Sequence, residues 1–164
     1  MSKTLDDLKE AFAGESQANR KYLAFAAAAD KEGFAQAARL FRAAAEAETV
    51  HALAHLRVMG GIKATRENLQ EAVGGETHEF SSMYPGMIAD AKSEGNASAE
   101  RSFSYANTVE KIHAGLYEKM LKNLDAKENY PYYVCPICGN TFEKEGPDVC
   151  PICGAKKATF KKIE

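Results

Sequence analysis

Apolar residues recur along most of this chain at alternating steps of three and four, the spacing that gathers side chains on one face of an α-helix. From Leu5 to Asp30 the stripe runs through Leu5, Leu8, Phe12, Glu15, Tyr22 and Ala26, in a stretch rich in Ala, Glu and Lys with no proline. A long helix is predicted, its apolar face interrupted by one acid. Gly33 marks the turn into a second helix from about Ala35 to Met59, which carries Phe41, Ala44, Glu48, His51 and His55 on one face and stops at Gly60-Gly61. A third helix is predicted to start near Thr65, with that residue as its cap and Glu67 in the first turn. Its stripe holds Leu69, Ala72, Glu76, Glu79 and Met83, and Pro85-Gly86 predicts a bend or break before Met87 to Ser93. After a turn at Gly95-Asn96, the fourth helix, Ala97 to Leu124, has the clearest inward stripe: Phe103, Ala106, Glu110, His113, Tyr117, Met120 and Leu124.

Beyond Ala126 the helical pattern ends. Asn129-Tyr130-Pro131-Tyr132-Tyr133-Val134 is aromatic and proline-limited, which predicts an extended segment and a short strand. It leads into Cys135-Pro136-Ile137-Cys138-Gly139 and, eleven residues after the second cysteine's glycine in the repeat, Cys150-Pro151-Ile152-Cys153-Gly154. Phe142 and Phe160, helped by Tyr133 and Val149, are the expected core of this small module. The organisation is therefore a mainly α domain over residues 1–128 and a small β and metal-knuckle domain over 129–164.

Composition narrows the classes of function. The chain has 164 residues, a formal net charge of −2 and no basic block, so neither nucleic acid nor an anionic membrane is an expected partner. No apolar run approaches a bilayer-spanning length, and the opening residues lack a signal-peptide pattern, which predicts a cytoplasmic protein. All four cysteines fall in the two C-x-x-C pairs, and in a reducing compartment that pattern means metal ligation before disulfides. The tail is too short to bury a useful core, so metal binding contributes to its folding.

The helices carry a second constellation. Glu48-Thr49-Val50-His51 and Glu110-Lys111-Ile112-His113 are E-x-x-H patterns, and a helix rising about 1.5 Å per residue sets each pair about one turn apart, within reach of one ion. Glu76 and Glu79 are spaced in the same way, and Glu15 adds one carboxylate from the first helix. Carboxylates facing a common core carry a large desolvation cost unless multivalent cations compensate them. Hard oxygen donors mixed with imidazole suit a pair of Fe or Mn ions and two-electron redox chemistry, while four thiolates suit one Fe or Zn. Tyr22 and Tyr84 each lie about two turns from a ligand, where a hydroxyl can bond a carboxylate or bound peroxide or merely pack. His55 is either an outer partner of the site or a core histidine, and His78 is expected on the surface.

Taken with these motifs, the sequence resembles rubrerythrin, a ferritin-like di-iron protein with a rubredoxin-like tail. The likeness is carried by the Glu15 to Tyr22 run, by Glu46-Ala47-Glu48-Thr49-Val50-His51, by Gly75-Glu76-Thr77-His78-Glu79-Phe80 with Met83-Tyr84-Pro85, and by Glu110-Lys111-Ile112-His113. It implies a ferritin-like four-helix bundle in which Glu48 and Glu110 bridge two irons, Glu15 serves one and Glu76 and His113 the other. Glu79 and His51 would alternate on the Glu15 iron between the oxidised and reduced states. It further implies a peroxidase that reduces hydrogen peroxide, with Glu15, Glu48, His51, Glu79, Tyr22 and Tyr84 at the reacting centre. Electrons would come from a rubredoxin or an NAD(P)H-dependent reductase through one Fe held by Cys135, Cys138, Cys150 and Cys153.

A ferroxidase or iron-handling role uses the same centre, and a structural bundle with a zinc-ribbon tail is the non-enzymatic alternative. Iron storage needs no returning reductant, so the four-thiol relay favours the peroxidase. The short link from Ala126 to Val134 predicts a homodimer, arranged head to tail so that one subunit's cysteines serve its neighbour. The brief Gly60 to Lys63 connection also admits exchange of a helical hairpin between subunits.

Overall fold

The computed structural model describes Ser2 to Glu164. Five α-helices and a three-stranded sheet follow one another: α1 (Lys3–Glu32), α2 (Ala35–Val58), α3 (Thr65–His78), α4 (Tyr84–Ser93), α5 (Ala97–Asn123), β1 (Tyr132–Val134), β2 (Thr141–Glu143) and β3 (Lys161–Ile163). The chain is thus mainly helical with a small C-terminal β domain. No helix is long and apolar enough to cross a membrane among the described residues. The helices and sheet group into two compact units, one ending at Lys63 and one from Ala64 to Glu164.

The first unit is a hairpin of α1 and α2. Ser2 caps α1 by accepting from the Leu5 N–H at 3.3 Å, and Gly33, at φ 84, closes it in the left-handed conformation. Its seam is made of small residues: Ala26 and Ala29 of α1 and Ala38, Ala45 and Ala52 of α2 are buried. Such short side chains let two helix backbones approach closely. The larger residues of the expected stripes, Phe12, Tyr22 and Phe41, are only half-buried beside that seam.

In the second unit α3 and α4 pack on α5, around buried Ala91, Val109 and Ala114. Two expectations for this stretch are corrected. The N-cap of α3 is Ala64, with no side-chain cap bond, and Thr65 is the first helical residue. Nor does Pro85 break the helix: a π-helical segment, Glu79–Met83, joins α3 to α4, and the Tyr84 N–H donates to the Glu79 carbonyl. The wider turn accommodates the proline ring and its missing donor, so the irregularity falls one turn upstream of Pro85.

In the tail, β1 lies between β2 and β3, antiparallel to both, with Val134 opposite Thr141 and Lys161. Phe142 and Phe160 stack with ring centroids 5.1 Å apart, as the sequence predicted. Val149 does not join them, because it is 53% exposed; its place in the tail is an isolated bridge to Lys156.

Candidate metal centres

Each C-x-x-C pair forms the same knuckle. The Gly139 N–H donates to the Cys135 carbonyl and the Gly154 N–H to the Cys150 carbonyl, both at 2.9 Å, and both glycines have positive φ, 82 and 78. That backbone conformation is why glycine follows each second cysteine. The sulfurs of Cys135 and Cys153 are 3.4 Å apart, those of Cys138 and Cys150 3.6 Å, and all four lie within 4.8 Å of one another. A tetrahedron with metal–sulfur bonds of about 2.3 Å has edges of roughly 3.8 Å, so the thiols fit one ion. Burial opposes ionisation of Cys150, but N–H groups of Cys153 and Ile152 and the neighbouring thiols bring it down to about 7. Burial raises Cys138, and a cation is what would allow all four to ionise together.

The helical residues form two triads of the same composition, one in each unit. In the hairpin, His51 Nδ1 is 3.0 Å from Glu48 Oε2 and 4.0 Å from Glu15 Oε1. In the second unit, His113 Nδ1 is 2.8 Å from Glu110 Oε2 and 3.9 Å from Glu76 Oε2. The donor atoms of each triad lie within 4.8 Å of one another. Ligands at about 2.1 Å on adjacent corners of one ion are roughly 3 Å apart, so both E-x-x-H pairs have the bite a cation needs. Helix periodicity alone sets that bite, which is why it was visible in the sequence.

Electrostatics mark the second triad. Burial, then the charge and hydrogen bond of Glu110 and the charge of Glu79, push Glu76 up to about 7. Tyr84 is raised by burial and by Glu110, Glu79 and Glu76 in that order; Tyr117 is raised by burial, then Glu76 and Glu110. A carboxyl group pushed up by burial and by the charge of neighbouring carboxylates is the expected signature of a site built for positive charge.

The remaining expected site residues fall as follows. Glu79 is half-buried at the start of the π segment and outside the triad, where its charge acts on Glu76 and Tyr84. Tyr22 packs its ring against Phe25 and Phe41, with centroids 6.4 and 6.2 Å away. Tyr84 faces Phe103 at 6.3 Å. His78 is exposed and His55 half-buried.

Three residues escaped the sequence reading. Asn19 is buried and donates through Nδ2 to the Ala45 carbonyl at 2.7 Å and to Thr49 Oγ1 at 2.8 Å. Tyr117 was read only as part of a stripe. Thr141, in the tail, lies with Oγ1 2.9 Å from Nε2 of His113. The Ala126 to Val134 link thus lets the tail touch α5 of its own chain. Asn19 left a faint signal, an amide on the helical face one turn after Glu15; Thr141 left none.

The family profile described as Rubrerythrin matches residues 6–121, and the rubrerythrin rubredoxin-like domain profile matches residues 133–161. The chain belongs to the rubrerythrin family. It is 37% identical over 171 residues to nigerythrin of Nitratidesulfovibrio vulgaris, covering 96% of this chain and 85% of that protein. Rubrerythrin-2 of Clostridium acetobutylicum is 37% identical over 177 residues, with 96% and 95% covered. Among solved structures, nigerythrin in its fully reduced, all-ferrous state has a TM-score of 0.61 at 36% identity, with 99% of this chain and 88% of that chain covered. Its mixed-valence state gives a TM-score of 0.59 at the same identity and coverage. Rubrerythrin membership identifies this chain as a di-iron, metal-binding oxidoreductase with ferritin-like and rubredoxin-like parts.

Proposed function

We propose that this rubrerythrin is a non-haem peroxidase that reduces hydrogen peroxide to water. The observation that carries the reading is the pair of matching triads, Glu15–Glu48–His51 and Glu76–Glu110–His113, in a chain that also has a four-cysteine site. Glu15, Glu48 and His51 would hold iron in the one unit and Glu76, Glu110 and His113 in the other, with Glu79 as a further carboxylate ligand. A pair of ferrous ions held there supplies two electrons, and H2O2 with those electrons and two protons gives two waters.

The chain's own groups set the conditions for that reaction. Carboxylates hold the positive charge and tolerate its increase, while the imidazoles favour the lower charge, so a mixed shell can adjust as electrons leave. The tyrosine hydroxyls of Tyr84 and Tyr22 are groups able to hold or pass protons near a bound peroxide. Cys135, Cys138, Cys150 and Cys153 would hold one iron as the entry point for electrons from a rubredoxin or an NAD(P)H-dependent reductase. That nigerythrin is described in mixed-valence and all-ferrous states supports redox cycling in the family.

A homodimer is part of this reading. Leu40, Val50 and Val58 on α2 are more than half exposed, as are Phe34 and Ile137, which leaves apolar surface for a second copy to cover. Light scattering tests that point directly.

The function is tested by anaerobic reduction followed by one equivalent of H2O2, monitored at the absorptions of the carboxylate-held and sulfur-held iron. Rapid oxidation at the helices should precede that of the tail, and Glu48→Ala should abolish the fast phase while leaving the tail coloured. A chain that binds iron only at sulfur, or a reduced protein indifferent to peroxide, overturns the reading.

A further inference from the structure

The hydroxyl of Thr141 makes two contacts that together fix the state of a ring. Its Oγ1 is 3.2 Å from the Gly139 carbonyl and 2.9 Å from Nε2 of His113. A carbonyl only accepts, so with the single hydroxyl proton on the Gly139 bond the oxygen is free to accept at its other side, and we take that arrangement as the one the knuckle enforces. Nε2 of His113 therefore carries the hydrogen. Nδ1 faces Glu110 Oε2 at 2.8 Å and Glu76 Oε2 at 3.9 Å; without a cation it shares a proton with Glu110, and a cation that displaces that proton meets the Nδ1 lone pair while Nε2 keeps its hydrogen. That is the tautomer a metal ligand requires.

The backbone that presents Thr141 is part of the cysteine knuckle. Gly139 follows Cys138 and is tied to the Cys135 carbonyl, while the Cys135 N–H donates to the Asn140 carbonyl at 2.9 Å. The same segment rests on α5 at both sides of His113. A Cβ at Gly139 would lie 3.8 Å from Cγ1 of Val109, about one turn before it, and Lys119 donates to Glu143 Oε2 at 2.5 Å beyond it. Tyr130 also donates to Glu143, at 2.6 Å. Thr141 is thus held in register with His113 by the fold of the four-cysteine loop.

We infer that Thr141 is the positioning residue for His113, and that through it the four-cysteine loop raises the metal affinity of the Glu76–Glu110–His113 triad. The inference rests on the reading of that triad as an iron site. An outer partner that fixes the tautomer and aim of a ligating histidine typically changes metal affinity by about tenfold to a hundredfold when removed. Because linkage is reciprocal, whatever factor the metal-folded tail adds to iron affinity at the triad, iron at the triad adds to the tail's hold on its own metal.

The test uses the full chain with zinc in its cysteine site, titrated anaerobically with Fe(II), together with the imidazole nitrogen shifts of His113 before iron is added. Thr141→Val keeps the shape and removes the hydroxyl; Thr141→Ser restores it. The expected result is about tenfold or greater weakening of Fe(II) binding in Thr141→Val, a His113 ring whose Nε2 no longer retains its hydrogen, and recovery of both in Thr141→Ser. The iron-loaded tail of Thr141→Val should keep the absorption of a four-sulfur iron site, which separates lost positioning from a misfolded knuckle. Wild-type iron affinity in Thr141→Val, or an unchanged ring tautomer, overturns the role of Thr141 alone. A wild-type chain that takes up no Fe(II) beyond its cysteine site overturns the iron reading of the triads and this inference with it.

Discussion

Asn19 donates to Thr49 across the hairpin at 2.8 Å, and this bond lies one helical turn after Glu15 and one residue after Glu48. A polar latch in an alanine seam is thereby placed beside two of the three donors of the first triad. The amide also donates to the Ala45 carbonyl, and its Oδ1 accepts from Nε of Arg20 at 2.8 Å. The Thr49 hydroxyl donates in turn to Ala45. Every polar atom of the buried amide is used, so it can specify helix register without leaving an unpaired group.

Replacing Asn19 by Leu should therefore destabilise the protein by about 1–3 kcal/mol, since Thr49 and Ala45 lose their partner in a seam shaped for an amide. Denaturant unfolding checks the magnitude. Metal uptake at the first triad should weaken in parallel, because Glu15 and Glu48 are aligned by the same helix contact.

Glu76 gives the chain a pH dependence whose sign is set by the raised value. With zinc in the tail and no metal in the triads, the folded state keeps the Glu76 proton between its ordinary 4.5 and about 7, whereas the unfolded chain loses it. The folded state binds more protons in that window, so the stability contributed by this group is full below about pH 4.5 and declines as pH rises to about 7. Melting temperatures across pH 5–7 should show the decline, and Glu76→Gln should flatten it. Iron in the triad should abolish it, since the cation takes the place of the proton.

Gly146 is buried under the aromatic pair of the tail. A Cβ there would come within 2.8 Å of Cδ2 and 2.9 Å of Cε2 of Phe160, with Phe142 at 3.5 Å. Gly146→Ala should force the stacked rings apart and cost about 1–3 kcal/mol, as overpacking of a small core does. The measurement is the temperature at which the sulfur-held metal is released, and the helical signal should be little changed.

Stripping the metal from the cysteine site should unfold β1, β2 and β3 while the helices persist. Three strands of three residues each, with two stacked phenylalanines, cannot hold together without the ion. Far-ultraviolet dichroism should retain its helical minimum after chelation, and amide exchange should accelerate between residues 132 and 163.

The local chemistry was legible in the sequence because each part of it is set by spacing along one element. Glu48 with His51 and Glu110 with His113 converge because the helix returns to the same face after three residues, and the two C-x-x-C-G knuckles depend on turns five residues long. Tertiary structure decided what periodicity cannot encode. It chose alanines over the larger stripe residues for the hairpin seam, since close backbone approach depends on what the facing helix offers. It turned the expected break at Pro85 into a π segment beginning at Glu79, because packing on α5 keeps the chain helical. And it brought Thr141 to His113, a contact between positions 28 residues apart that exists only once the knuckle has folded against α5.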